Sequence, residues 1–144
     1  MSAQKAILGV FVTGVLAGVG FVAAAHAEGV PVMINHQGRV EVQGAPFSGN
    51  GLFRFALITP GDGINRWTND GSQVGAVGMP TDALAVRVTE GYYSLNLGES
   101  NPMSVDLFVH YPDLRLRIWF DDGVHRVQLL EPDQPLTSAG YAMY

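Results

Sequence analysis

Residues 114–130 read Leu-Arg-Leu-Arg-Ile-Trp-Phe-Asp-Asp-Gly-Val-His-Arg-Val-Gln-Leu-Leu. Leu114, Leu116, Ile118 and Phe120 alternate with Arg115, Arg117 and Trp119. Successive strand side chains point to opposite faces, so this stretch reads as a strand with one apolar and one mixed face. Asp121-Asp122-Gly123 follows with hairpin chemistry, since Asp-Gly tolerates the positive φ that tight turns need. Val124 to Leu130 then reads as the returning partner.

The same period recurs outward from this hairpin. Val32, Ile34, His36, Val40 and Val42 fall on one side of a first strand, opposite Asn35, Gln37, Arg39 and Glu41. Phe53, Phe55 and Leu57 mark a strand over about 51–59, closed by the turn Pro60-Gly61-Asp62-Gly63. Shorter strands are expected at Ile64 to Thr68, around Leu84, Val86 and Val88, and around Tyr93, Leu95 and Leu97. Ser104 to Val109 reads as a short helix or strand, and residues 131–144 as an extended tail. The glycine-rich stretch 71–82 reads as a flexible surface loop. Eighteen glycines and eight prolines suit short strands with many turns. The expected fold is all-β: a small β-sandwich of about seven mostly antiparallel strands over residues 28–144, with a small barrel as the alternative.

Residues 1–27 read as a secretory signal. Lys5 is followed by the uncharged run Ala6 to Ala25, and Ala25-His26-Ala27 offers small residues at the cleavage positions. The rival reading is an uncleaved membrane anchor, which would give the protein its only membrane contact. The expected location is outside the cytoplasm: periplasm, outer surface or extracellular space. Beyond Ala27 the chain carries thirteen acids, seven arginines and no lysine. That balance lacks the basic footprint a nucleic-acid binder needs. With no cysteine, disulfides, thiolate metal sites and thiol nucleophiles are excluded.

Three blocks together resemble a group of bacterial secreted proteins of unassigned function. Ile34-Asn35-His36-Gln37-Gly38-Arg39-Val40 is similar to their opening INYQGRL segment, with His36 in place of the usual tyrosine. Gly91-Tyr92-Tyr93-Ser94-Leu95-Asn96-Leu97-Gly98 resembles their G-x-F-S-V-N-L-G strand. Residues 134–142, Gln134 to Ala142, resemble their closing QPLTSVPYA, and Arg66-Trp67-Thr68 their LWSE strand. The resemblance implies a surface or extracellular building block and implies no activity.

No catalytic set or metal motif is present, so a non-enzyme without cofactor is expected. Asp121, Asp122, Glu131 and Asp133 would approach a calcium site only if the tail folded back beside the hairpin. His36, His110 and His125 lack the spacing of metal ligands on one element, and His36 reads as a core histidine. Arg115, Arg117 and Trp119 read as an exposed row. Either it is a binding patch for a sugar, an anionic polymer or a partner subunit, or it is a solvated ladder paired to neighbouring acids. Trp67, Tyr92 and Tyr111 offer further aromatic surface. The apolar end, with Leu136, Tyr141, Met143 and Tyr144, reads as an interaction tail that docks on its own domain or on a neighbour's. The expected function is a secreted structural or interaction module, in one version self-assembling; the alternative is a carbohydrate-binding module.

Overall fold

A computed structural model describes residues 31–136. Residues 1–27, read above as a secretory signal, and the tail residues Tyr141, Met143 and Tyr144 lie outside the described residues. In chain order the strands are β1 (Pro31–Val32), β2 (Ile34–Arg39), β3 (Glu41–Val42), β4 (Ala45–Pro46), β5 (Gly49–Ile58), β6 (Asn65–Thr68), β7 (Leu84–Val88), β8 (Tyr92–Leu97) and β9 (Met103–Ser104). One helix, α1 (Val105–His110), precedes β10 (Arg115–Asp121) and β11 (Gln128–Pro135). Seven of these strands have four or more residues, and every strand pairing is antiparallel.

The long strand β5 organises the larger sheet. β10 runs beside most of it, from Arg115↔Ile58 to Asp121↔Leu52, and β11 lies on the far side of β10. On the other flank of β5 two strands sit end to end: β6 against Ala56 to Ile58, and β7 against Gly49 to Phe53. One face carries Phe53, Phe55, Leu57, Leu116, Ile118 and Phe120, all buried. Their alternation in sequence is the cause: each strand turns every second, apolar residue to this side.

A long antiparallel ribbon covers that face. β2 pairs with β8 from Ile34↔Leu97 to Arg39↔Tyr92, and β1 pairs with β9 at Val32↔Met103. Residues 98–102 loop out between the two stretches, at a point where a Cβ on Gly98 would meet Val32 O at 2.6 Å. The ribbon's inner residues enter the core. The Tyr93 ring lies 4.4 Å from Phe53, and the His36 ring lies 5.7 Å from Phe55. Tyr93 also crosses over Gly38, where an added Cβ would fall 2.5 Å from its hydroxyl. Two of the blocks quoted above, 34–40 and 91–98, are therefore cross-strand partners.

Glu90 and Gly91, both at positive φ, turn β7 into β8, with Thr89 and Tyr92 exchanging backbone hydrogen bonds of 2.9 Å. This turn links the five-stranded sheet to the ribbon. Gln43 and Gly44 make a similar turn between β3 and β4. Leu107, Phe108 and Tyr111 pack from the helix end of the molecule onto the same core.

Three sequence expectations need correction. The partner of β10 begins at Gln128 rather than Val124, because residues 122–127 form a longer connection. In it the Asp122 carboxylate accepts backbone hydrogen bonds from Val124 and His125, which replaces a two-residue turn. The start of the expected tail, Glu131 to Pro135, is sheet: it completes β11, with a register shift between Leu116 and Ile118. The glycine-rich stretch is closely hydrogen-bonded rather than loose. Buried Asn65 donates its side-chain amide to Gln73 O and Gly78 O, while its backbone exchanges hydrogen bonds with Ala76 and Gly75. Asp70 accepts from Ser72 and from the backbone of Asp82.

Candidate functional surfaces

Arg115, Arg117 and Trp119 do share one face of β10, but they form no exposed row. Trp119 is only 8% exposed. It packs with Ala56 and Ile58, and Val127 closes over the group. The alternation placed the indole on the outer face correctly; the chain returning from 122 to 127 then supplies apolar cover. Arg117 makes a bidentate pair with Asp133, at 2.9 and 2.8 Å. That hydrogen-bonded pairing holds the guanidinium above its ordinary pKa. Arg115 lies 3.8 Å from Asp113. The ladder reading thus describes Arg117, whose acid lies on the neighbouring strand, but not Arg115, whose nearest acid precedes it on the same chain segment; no aromatic platform exists at Trp119.

The acids do not converge on a cation. Asp133 is engaged by Arg117, and the Asp122 carboxylate lies 2.7 Å from His125 Nδ1. Burial alone would raise the Asp122 pKa, but hydrogen bonds from His125 and Val124 outweigh it and hold the carboxyl below its ordinary value. Among the described residues no cluster of three metal-ligating side chains occurs. His36 is a core residue, with Nε2 2.9 Å from the Tyr93 hydroxyl. Trp67 is also buried and donates its indole N–H to Asn101 O at 3.0 Å. Leu136, the first residue of the proposed interaction tail, packs into this chain's own core and is 7% exposed. Tyr111 lies under the Arg66 guanidinium, 4.5 Å from ring centroid to charge.

The ribbon carries the one surface that sequence reasoning did not assemble. Its outward residues form three rungs: Asn35 opposite Asn96, Gln37 opposite Ser94, and Arg39 opposite Tyr92. Asn35 donates to Asn96 Oδ1 at 3.0 Å, and Gln37 reaches Asn35 Oδ1 at 3.4 Å. Tyr92 is 61% exposed, and the Arg39 guanidinium stands 5.4 Å from its ring centroid. Arg39 is in turn ion-paired with Glu41, which neutralises its charge. The period-two pattern puts each of these residues on an outer face. Only the strand register brings Tyr92 beside Arg39 and aligns the amides.

A family profile matches residues 35–133: the domain of unknown function DUF8740. The chain belongs to this family. Nothing among curated proteins or solved structures matches it. The DUF8740 span takes in both strands of the outer ladder, the buried His36–Tyr93 pair and the Arg117–Asp133 pair. Leu136 falls just beyond it. Among the described residues of this DUF8740 chain, no helix is long and apolar enough to cross a membrane.

Proposed function

We propose that the protein is a secreted, non-enzymatic structural or interaction module, a small β-sandwich that joins its partner through an open strand edge. The first partner to consider is a second copy of the chain. Support for export comes from the uncharged run Ala6 to Ala25 and the small residues flanking His26.

The observation that carries the assembly reading is the imbalance between the two layers. Strands at a sheet edge present unpaired N–H and C=O groups and are templates for another strand. The larger sheet is guarded at β11 and at the start of β6. β11 contains Pro132 and Pro135, which cannot donate, and Asn65 at the start of β6 has its backbone N–H and C=O held by Ala76 and Gly75. Opposite this sheet stands a ribbon two strands wide, in which β8 pairs with β2 alone among the described strands. Its far edge, Tyr92–Leu97, contains no proline and pairs with no further strand among the described residues.

Light scattering on the purified chain over a range of concentrations tests this, together with hydrogen exchange at residues 92–97. A dimer or larger species, with these amides more protected as it forms, is expected. A monodisperse monomer at every concentration, with or without residues 137–144, would sink the reading.

A further inference from the structure

We infer that the outer face of the β2–β8 ribbon is a binding platform for a neutral oligosaccharide. Three features of the face point to this ligand class.

The first is its hydrogen-bonding inventory. Asn35 and Asn96 each present an amide with two N–H donors and a carbonyl acceptor, and Ser94 adds a hydroxyl. Groups that donate and accept side by side suit neighbouring sugar hydroxyls, which do the same. The Asn35–Asn96 hydrogen bond fixes the two amides relative to each other while leaving each with further capacity.

The second feature is the aromatic ring. Tyr92 closes one end of the ladder and is 61% exposed. The Arg39 guanidinium holds it from one side. A fixed, wet aromatic ring offers an apolar surface to the C–H face of a pyranose at little cost in side-chain entropy. Trp119, buried on the other sheet, cannot do this.

The third feature is charge. Arg39 is the only formally charged side chain on the three rungs, and Glu41 neutralises it. An anionic chain would find no free cation here and would meet a protein of net charge −5. The length also suits an extended ligand. From the Tyr92 rung to the Asn96 rung is about 13 Å at strand spacing, enough for a short oligosaccharide laid along the ribbon.

The test is a titration of the full chain followed by the side-chain amide signals of Asn35, Gln37 and Asn96. Cellohexaose and maltohexaose serve as neutral probes, and an oligogalacturonate of similar length as the anionic one. Saturable shifts with at least one neutral probe are expected, in the millimolar range. Tyr92→Ala should weaken that binding by about tenfold, the size of one aromatic contact. Tyr92→Phe and Leu129→Ala, the latter on the opposite sheet, should bind as the native chain does. The inference is overturned if neither neutral probe gives a saturable shift, if Tyr92→Ala binds unchanged, or if the galacturonate binds as well. None of these outcomes touches the strand-edge reading, which is read from oligomer size.

Discussion

At the centre of the core the His36 ring is 1% exposed and sits edge-on to Phe55 and Tyr93. Nε2 has the Tyr93 hydroxyl, whereas Nδ1 has no hydrogen-bond partner among the described residues. Protonation would place a charge and an unpaired N–H among aromatic rings. Burial accordingly lowers the His36 pKa from 6.5 to about 4, and burial pushes the Tyr93 hydroxyl upward. Among the described residues no charged group offsets this, and the aromatic rings against it are those of Phe55 and Tyr93. The sign follows from linkage. Between these two pKa values the unfolded chain binds a proton that the native state refuses, so stability falls as pH falls through that window. The full loss is about 3 kcal/mol by the lower end. Urea unfolding from neutrality down to pH of about 4 should show this decline, and His36→Gln should flatten it. Asp62, Asp70 and Asp122, held below their ordinary carboxyl value of 3.8, lose their contribution only below the window. An equal pH dependence in the native chain and the variant would refute the assignment.

At the scale of elements, the clearest signal in the sequence was the alternation from Leu114 to Phe120, and β10 lies there with the faces as read. The same reading failed for Trp119 because period two says which way a side chain points, not what the chain later lays over it. Residues 71–82 were misread for a related reason. Their glycines speak of freedom, while the groups that remove it are polar residues on β6 and just after it. Asn69 is one of these. Its Oδ1 accepts from the Phe55 backbone N–H at 2.9 Å, and its amide donates to Asp82 O at 2.9 Å. One side chain thus ties the central strand to the far end of the loop. Asn69→Ala leaves the Phe55 N–H short of this partner in a buried strand, a cost of about 1–3 kcal/mol. Asn65→Ala removes the amide held by Gln73 and Gly78 and should act mainly on the loop. Hydrogen exchange then separates the two variants. Faster exchange confined to 71–82 is expected for Asn65→Ala, and faster exchange reaching β5 for Asn69→Ala. Unchanged rates in both would mean that the loop is fixed by something other than these amides.

At the scale of the whole molecule, the question is where the folded unit ends. The DUF8740 match stops at Asp133, yet the sheet runs on: Gln134 stands opposite Leu116 and Pro135 opposite Arg115. Leu136 then turns into the core beside the inner residues of both layers. The apolar C-terminal segment read as an interaction tail therefore begins as structure. A chain ending at Asp133 would lose two ladder positions and a buried leucine, exposing the end of the core that Leu136 seals. Removing a buried leucine side chain costs about 2–5 kcal/mol, in proportion to the cavity left. For a domain of this size that lowers the melting temperature by roughly 10 °C or more. A chain ending at Leu136 keeps these contacts and should melt close to the native value, and Leu136→Ala in the full chain should reproduce most of the loss. This series separates folding from assembly. If the chain ending at Leu136 melts normally but no longer associates, residues 137–144 serve the partner and not the fold. If it also melts early, the domain boundary lies further along the chain than Leu136.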